Sequence, residues 1–287
     1  MSNEEKYVIK LIRHGESLKV FPGSDKLTYE GMEWLRPISE EAATAAEREG
    51  HEFGKAVGRH LFQQHINGNN PRVIGVHSGR KRSEQTLRSI IKGFEEGVDY
   101  EMLDGCDDGP NSTALFPVKD IISITEDFDL GYLLDERYVE AAKNAVKKGD
   151  YPATTDFFIN NTPIEFFDIK HHSKIYPRTY SAKEMQENIR GVLRRNIERA
   201  IYFENANLGI MVSHEPVLSL SMVDLTEKSI TELGGKFKEL EAATFHIVKD
   251  KSIKFPITIL ELRGQQYDIT EKICTGPHVI SASKYDF

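Results

Sequence analysis

Residues 7–17 read Tyr-Val-Ile-Lys-Leu-Ile-Arg-His-Gly-Glu-Ser. Residues 7–13 are apolar and rich in β-branched side chains, and this pattern predicts a short buried strand. His14-Gly15 ends it, so polar groups stand just past the strand's C-terminal end. The same punctuation returns twice. Residues 73–77 (VIGVH) are followed by Ser78-Gly79, and residues 208–212 (LGIMV) by Ser213-His214. In open α/β sheets, ligands bind beyond the carboxyl ends of the strands. A sheet built from these runs would bring His14, His214, Arg13 and Arg82 to one crevice.

The intervening segments have helical character. Ser39 is placed as an N-cap, with Glu40 and Glu41 in the first turn where the helix dipole favours anions. A helix is predicted from there to about Gln64, with Ala46, Phe53, Ala56, Val57 and Leu61 facing the core. Residues 67–71 (NGNNP) stop it. Residues 80–92 form a second helical pattern, with Leu87, Ile90 and Ile91 inward. The order β–α–β–α favours a parallel sheet with right-handed crossovers. Residues 93–180 carry several Gly and Pro and many aromatics, and are expected to form a large insertion covering one edge of the sheet. Ser181 to Glu184 is a capping box, with Tyr180 and Met185 as its hydrophobic staple. The helix it opens carries Met185, Ile189, Val192, Leu193 and Ile197 at helical spacing. Two strand-like runs, 243–249 and 252–263, are joined at Asp250-Lys251 and predict a hairpin extending the sheet. The whole, residues 1–287, reads as one domain with the insertion at about 93–180.

Composition narrows the function. The chain has 37 Lys and Arg against 45 Asp and Glu, a net charge of −8, which argues against general nucleic-acid binding. No apolar run is long enough for a membrane span. The polar start, MSNEEKYVIK, lacks the apolar core of a secretory signal, so a cytoplasmic location is expected. The two cysteines, Cys106 and Cys274, are far apart, and neither a disulfide framework nor a cysteine zinc site is expected. The side chains gathered at the strand ends suit a phosphoryl group. Arg offers planar bidentate donors, and imidazolium adds another. Imidazole is also a good nucleophile near neutral pH when the attacking nitrogen is unprotonated. A backbone carbonyl from the Gly15 region would fix that tautomer, and the missing side chain at Gly15 would let backbone amides approach a phosphate.

Residues 11–17 (LIRHGES) resemble the signature of the histidine phosphatase superfamily, phosphoglycerate-mutase-like branch. Residues 78–86 (SGRKRSEQT) are similar to that family's S-x-x-x-R-x-x-Q-T stretch. Residues 134–138 (LDERY) resemble its segment with the proton-donating glutamate, and 210–214 (IMVSH) its second histidine. The resemblance implies a three-layer α/β/α sandwich with a mostly parallel central sheet. It implies a metal-independent phosphomonoester hydrolase that needs no cofactor and acts on a phosphorylated small molecule or protein. His14 would be the nucleophile, forming a phosphohistidine. Arg13, Arg82, His214 and Gly15 would bind phosphate, and Glu136 would protonate the leaving oxygen. Asp135 and Glu215 are rivals for that acid, since the acid-phosphatase branch places its donor directly after the second histidine. Glu215 also reads as the start of a helix with Pro216 at its first position. Val20 stands where many members carry a phosphate-contacting Asn. A phosphoglycerate-type mutase and a catalytically impaired phosphate-binding protein are the alternative readings. His171, His172, Lys174 and Arg178 form a basic patch with two readings, a contact for a polyanionic substrate or, the favoured one, exposed loop residues.

Overall fold

The computed structural model describes residues 5–26, 34–104, 118–131, 182–199, 208–249 and 256–274. Seven strands form one sheet: β1 (Glu5–Arg13), β2 (Val73–His77), β3 (Ile122–Glu126), β4 (Leu208–Ser213), β5 (Ala242–Lys249), β6 (Ile257–Leu262) and β7 (Gln265–Asp268). Their order across the sheet is β3-β2-β4-β1-β5-β6-β7. The first four pair in parallel, and the last three are added antiparallel. The expected mostly parallel sheet is therefore a mixed one, with three parallel and three antiparallel pairings. Short connections near the C-terminus explain the β5–β6 and β6–β7 pairings, because a tight turn can only return a strand antiparallel, while β5 itself adds antiparallel to β1. The hairpin expected from 243–263 is present, and β7 is an addition to it. Arg263-Gly264 joins β6 to β7 with positive φ at both residues (52° and 76°), the backbone a two-residue hairpin turn demands.

Side-chain alternation divides the core between the two faces of the sheet. Ile9, Leu11, Ile74, Val76, Met211 and Phe245 face one cluster; Val8, Ile12, Val73, Leu208, Ile210 and Val212 face the other. The second face is covered by α1 (Glu40–Ile66) and α2 (Lys81–Asp104). The first is covered by α3 (Ala182–Glu198), α4 (Glu215–Thr226) and α5 (Thr270–Cys274). Helices on both faces of the sheet give three layers. Among the described residues no helix is long and apolar enough to cross a membrane.

Several local expectations hold. Ser39 caps α1, its hydroxyl accepting the Ala42 N–H at 3.1 Å. All five apolar residues picked out on α3 are buried. The helix begins at Ala182, directly after Ser181, which lies outside the described residues together with Tyr180, Asp250 and Lys251. The inward face of α1 is largely the expected one, with Ala46 and Leu61 buried and Phe53 and Val57 packed against the same cluster, but its line of closest approach is made of small residues. It runs Ala42, Ala46, Gly50, Gly54, Gly58, Leu61, while Ala56 is exposed. Small residues face inward because α2 lies against the backbone of α1. A Cβ at Gly50 or Gly54 would overlap the Ile90 or Phe94 carbonyl oxygen. One at Gly93 or Gly97 would overlap that of Glu47 or His51. The stretch 93–180 is also more regular at its start than its composition suggested. α2 continues to Asp104, burying Phe94 and Val98, and β3 forms the sheet edge beside β2.

Candidate active site

The sheet order sets β2, β4 and β1 side by side, with β4 in the middle. Arg13 lies opposite Ser213, and His77 opposite Val212. The residues following each strand thus emerge together: His14 after β1, Ser78 after β2, His214 after β4. The His14 and His214 rings stand edge to face, with centroids 5.0 Å apart. Arg82, one residue into α2, turns back so that its Nε–H donates to His14 Nε2 at 3.2 Å. Two imidazoles and the Arg82 guanidinium, remote in sequence, therefore meet at the carboxyl edge of the sheet.

His14 is held at both ring nitrogens, and His214 at Nε2. His14 Nδ1 lies 2.7 Å from the Gly15 carbonyl oxygen. Only a protonated Nδ1 can donate there, so the lone pair is on Nε2, and Arg82 donates to that lone pair. His214 Nε2 lies 2.7 Å from Ser78 Oγ, which lies 2.8 Å from Ser83 Oγ. The His14 imidazole is held well below its ordinary range by burial, then by the Arg82 guanidinium. The Gly15 carbonyl pulls the other way, and Arg13 and Arg80 add to the lowering. His214 is pushed down likewise, by burial and then by Arg82 and Arg80. Both rings are neutral at pH 7.

Thr86 ties the pieces together. Its hydroxyl accepts the Gly15 N–H at 3.0 Å and donates to the Arg82 carbonyl at 2.8 Å. The Gly15 amide therefore has a protein partner. The absence of a side chain at Gly15 serves packing, since a Cβ there would sit 3.0 Å from Ala42 Cβ on α1. Gln85 accepts the Ile38 N–H at 3.0 Å and so anchors the strand-like bridge between Ser17 and Ile38.

Arg13 is beside the imidazoles, but its terminal nitrogens are engaged elsewhere. Nη1 donates to the Phe237 carbonyl, and Nη2 pairs with Glu239 at 2.7 Å. Its Nε is buried without a hydrogen-bond partner. Glu136 and Asp135 lie outside the described residues, as do Cys106 and the basic patch at His171, His172, Lys174 and Arg178. Glu215 is buried, and its Oε1 accepts from Ser219 Oγ at 2.7 Å within α4. It is the first residue of that helix, and Pro216 is the second. Val20 is 79% exposed.

Two features escaped the sequence reading. Arg80, which sequence patterning does not single out, is 2% exposed, and its charge bears on both imidazoles. It also lies over the Trp34 ring, 5.6 Å from the centroid. Gly79, with φ near +80°, makes the turn that carries Arg80 inward. Glu126, at the end of β3, brings Oε1 within 2.5 Å of where a Cβ on Gly79 would stand. Among the described residues no group of three or more His, Cys, Asp or Glu could hold a metal ion.

The two neutral imidazoles, His214 buried and His14 partly buried, predict acid sensitivity. In the unfolded chain each would take up a proton as pH falls through about 6.5, whereas in the folded chain both resist. The unfolded state then binds more protons, so stability is full above about pH 6.5 and declines below it. Each such proton contributes a slope of about 1.4 kcal/mol per pH unit between the unfolded and folded pKa values. Urea unfolding at pH 7.0 and 5.5 is expected to show this decline, and His214→Gln to make it shallower. An unchanged slope in that variant would contradict the assignment.

No family model matches the chain, and no curated protein matches its sequence. Solved structures do match over most of its length. A mycobacterial glucosyl-3-phosphoglycerate phosphatase is 12% identical, with 84% of this chain and 91% of that chain covered and a TM-score of 0.42. A phosphoserine phosphatase from Entamoeba histolytica, in complex with 3-phosphoglyceric acid, is 12% identical, with 83% and 90% covered and a TM-score of 0.44. YhfR from Bacillus stearothermophilus is 15% identical, with 90% and 97% covered and a TM-score of 0.45. The chain is thus similar in outline to these proteins, at low identity and with broad coverage.

Proposed function

We propose that this chain is a metal-independent phosphomonoester hydrolase that works through a phosphohistidine on His14. The observation that carries the reading is the state of His14 Nε2. It is a neutral imidazole nitrogen whose lone pair is fixed by the Gly15 carbonyl on the far side of the ring. It faces a guanidinium and a second imidazole.

In the first step the Nε2 lone pair attacks phosphorus, an N–P bond forms, and the ester P–O bond breaks. Arg82 must leave the lone pair for this to happen. An incoming phosphoryl group, with its anionic oxygens, gives the guanidinium a stronger partner than a neutral nitrogen. Arg82 and His214 then stabilise charge spread over the equatorial oxygens, with Arg13 and Arg80 contributing through their fields. The leaving oxygen takes a proton from a carboxylic acid, a role we assign to Glu136 on the resemblance, with Asp135 and Glu215 as competitors. In the second step water gives a proton to that carboxylate and attacks phosphorus. The N–P bond breaks, and inorganic phosphate and free imidazole result.

The test is phosphate release from a generic aryl phosphate in the presence of a metal chelator, with trapping of an acid-labile, base-stable phosphoenzyme. Turnover and a trapped phosphohistidine are expected. Turnover that requires added divalent metal, or no phosphoenzyme under single-turnover conditions, would overturn the reading. Isomerisation of a phosphoglycerate without net phosphate release would replace it with a mutase.

A further inference from the structure

We infer that the hydroxyls of Ser83 and Ser78 assign His214 its tautomer, so that two like rings perform opposite tasks. The inference rests on the hydrolase reading for its consequence, but the hydrogen-bond logic stands on the geometry alone. Ser78, Ser83 and His214 are all essentially buried. Ser83 Oγ accepts the Ser78 backbone N–H at 3.0 Å. Its other contact is Ser78 Oγ at 2.8 Å, and Ser78 Oγ in turn contacts His214 Nε2 at 2.7 Å.

A hydroxyl has one proton to donate. If the chain runs from Ser83 through Ser78 to the ring, every proton is used. The amide donates to Ser83, Ser83 donates to Ser78, and Ser78 donates to Nε2. If it ran the other way, the ring would donate to Ser78 and Ser78 to Ser83. The Ser83 proton would then be buried with no acceptor. An unmade hydrogen bond of that kind costs about 1–3 kcal/mol, enough to fix the direction by roughly tenfold or more. The Ser78 amide, which has only a proton to give, acts as a ratchet for the whole row.

With Nε2 accepting, a neutral His214 carries its proton on Nδ1. His14 also carries its proton on Nδ1, but there Gly15 engages that proton and the Nε2 lone pair beside Arg82 is the reactive atom, whereas in His214 Ser78 engages the Nε2 lone pair and Nδ1–H is turned to the task. The two rings therefore present a lone pair and an N–H respectively. His214 is prevented from competing as the nucleophile and is held as the hydrogen-bond donor to the transferred phosphoryl group. Ser78 and Ser83 are positioning residues, acting through the ring and not on substrate.

The experiment is a two-bond 15N–1H correlation spectrum of protein labelled with 15N-histidine, at pH 7.5. The wild type is expected to show His214 with a protonated Nδ1 and an unprotonated Nε2. Ser78→Ala is expected to shift His214 toward the Nε2–H form. It should lower kcat on the order of 10–100-fold, the usual effect of losing an outer-shell orienting partner, with a smaller change in KM. Ser78→Thr, which keeps the hydroxyl, is expected to restore the tautomer. A wild-type His214 that is protonated at Nε2 would overturn the inference without any variant. The expected spectrum in a protein with no hydrolase activity would leave the tautomer assignment standing and sink the hydrolase reading. Activity with the opposite tautomer would do the reverse.

Discussion

His14→Ala is expected to remove both turnover and the trapped phosphoenzyme. Loss of a covalent nucleophile costs on the order of 10⁴-fold or more in kcat. The imidazole is enclosed but is not a large core residue, so circular dichroism and the urea midpoint should change little. Arg82→Gln supplies the complementary measurement. Glutamine can still donate to Nε2 but carries no charge. Arg82 is the leading electrostatic influence holding both imidazoles below their ordinary range, second only to burial. Its loss is expected to lower kcat/KM by on the order of 10²–10³-fold through weaker transition-state stabilisation. It should also move the acid limb of the pH profile upward, because both rings become easier to protonate. Full activity in His14→Ala, or an acid limb that stays in place in Arg82→Gln, would contradict the site as drawn.

Gly93→Ala is expected to be the most damaging single-methyl change among the described glycines. Adding a methyl within a helix normally stabilises it by about 1 kcal/mol. Here the methyl would occupy the space of the Glu47 carbonyl oxygen on α1, and that atom is backbone within a helix. The helices must separate, and the contacts beside the glycine, including Phe53 against Phe94 at 5.9 Å between centroids, are lost with them. Overpacking of this severity costs about 3 kcal/mol. Gly191→Ala on α3 is the control, because a Cβ there meets only the end of the flexible Arg195 side chain, at 3.3 Å. It is expected to raise stability by about 0.5–1 kcal/mol. Equal effects of the two substitutions on the urea midpoint would refute the packing argument.

The contrast shows what the sequence could convey. Strands β1, β2 and β4 were legible because a buried parallel strand is a compact apolar run, and the reactive residues stand directly after it. α3 was legible because its apolar stripe has helical spacing. The glycine line on the inner face of α1 was not, since glycines at 50, 54 and 58 look like weak helix positions until a second helix lies against them. β7 was missed because residues 265–268 are polar, as an edge strand often is. At the site, His14, Arg82 and His214 could be brought together on paper by strand order. Arg80 could not, because only the positive φ at Gly79 distinguishes an inward arginine from a solvated one. Nor could the serine row, whose meaning depends on which hydroxyl reaches which.

The antiparallel end of the sheet has a consequence for the His14–His214 cluster at its parallel end. Arg263, in the tight turn before β7, gathers the carbonyls of Leu233, Gly235 and Lys236 and pairs with Glu241 at 2.6 Å. Its guanidinium lies over the Phe237 ring. The strap so moulded is the one whose Phe237 carbonyl and Glu239 carboxylate grip Arg13. One arginine thus serves as the mounting bracket for another, and evolutionary drift at a surface hairpin would be transmitted to the charge beside the two imidazoles.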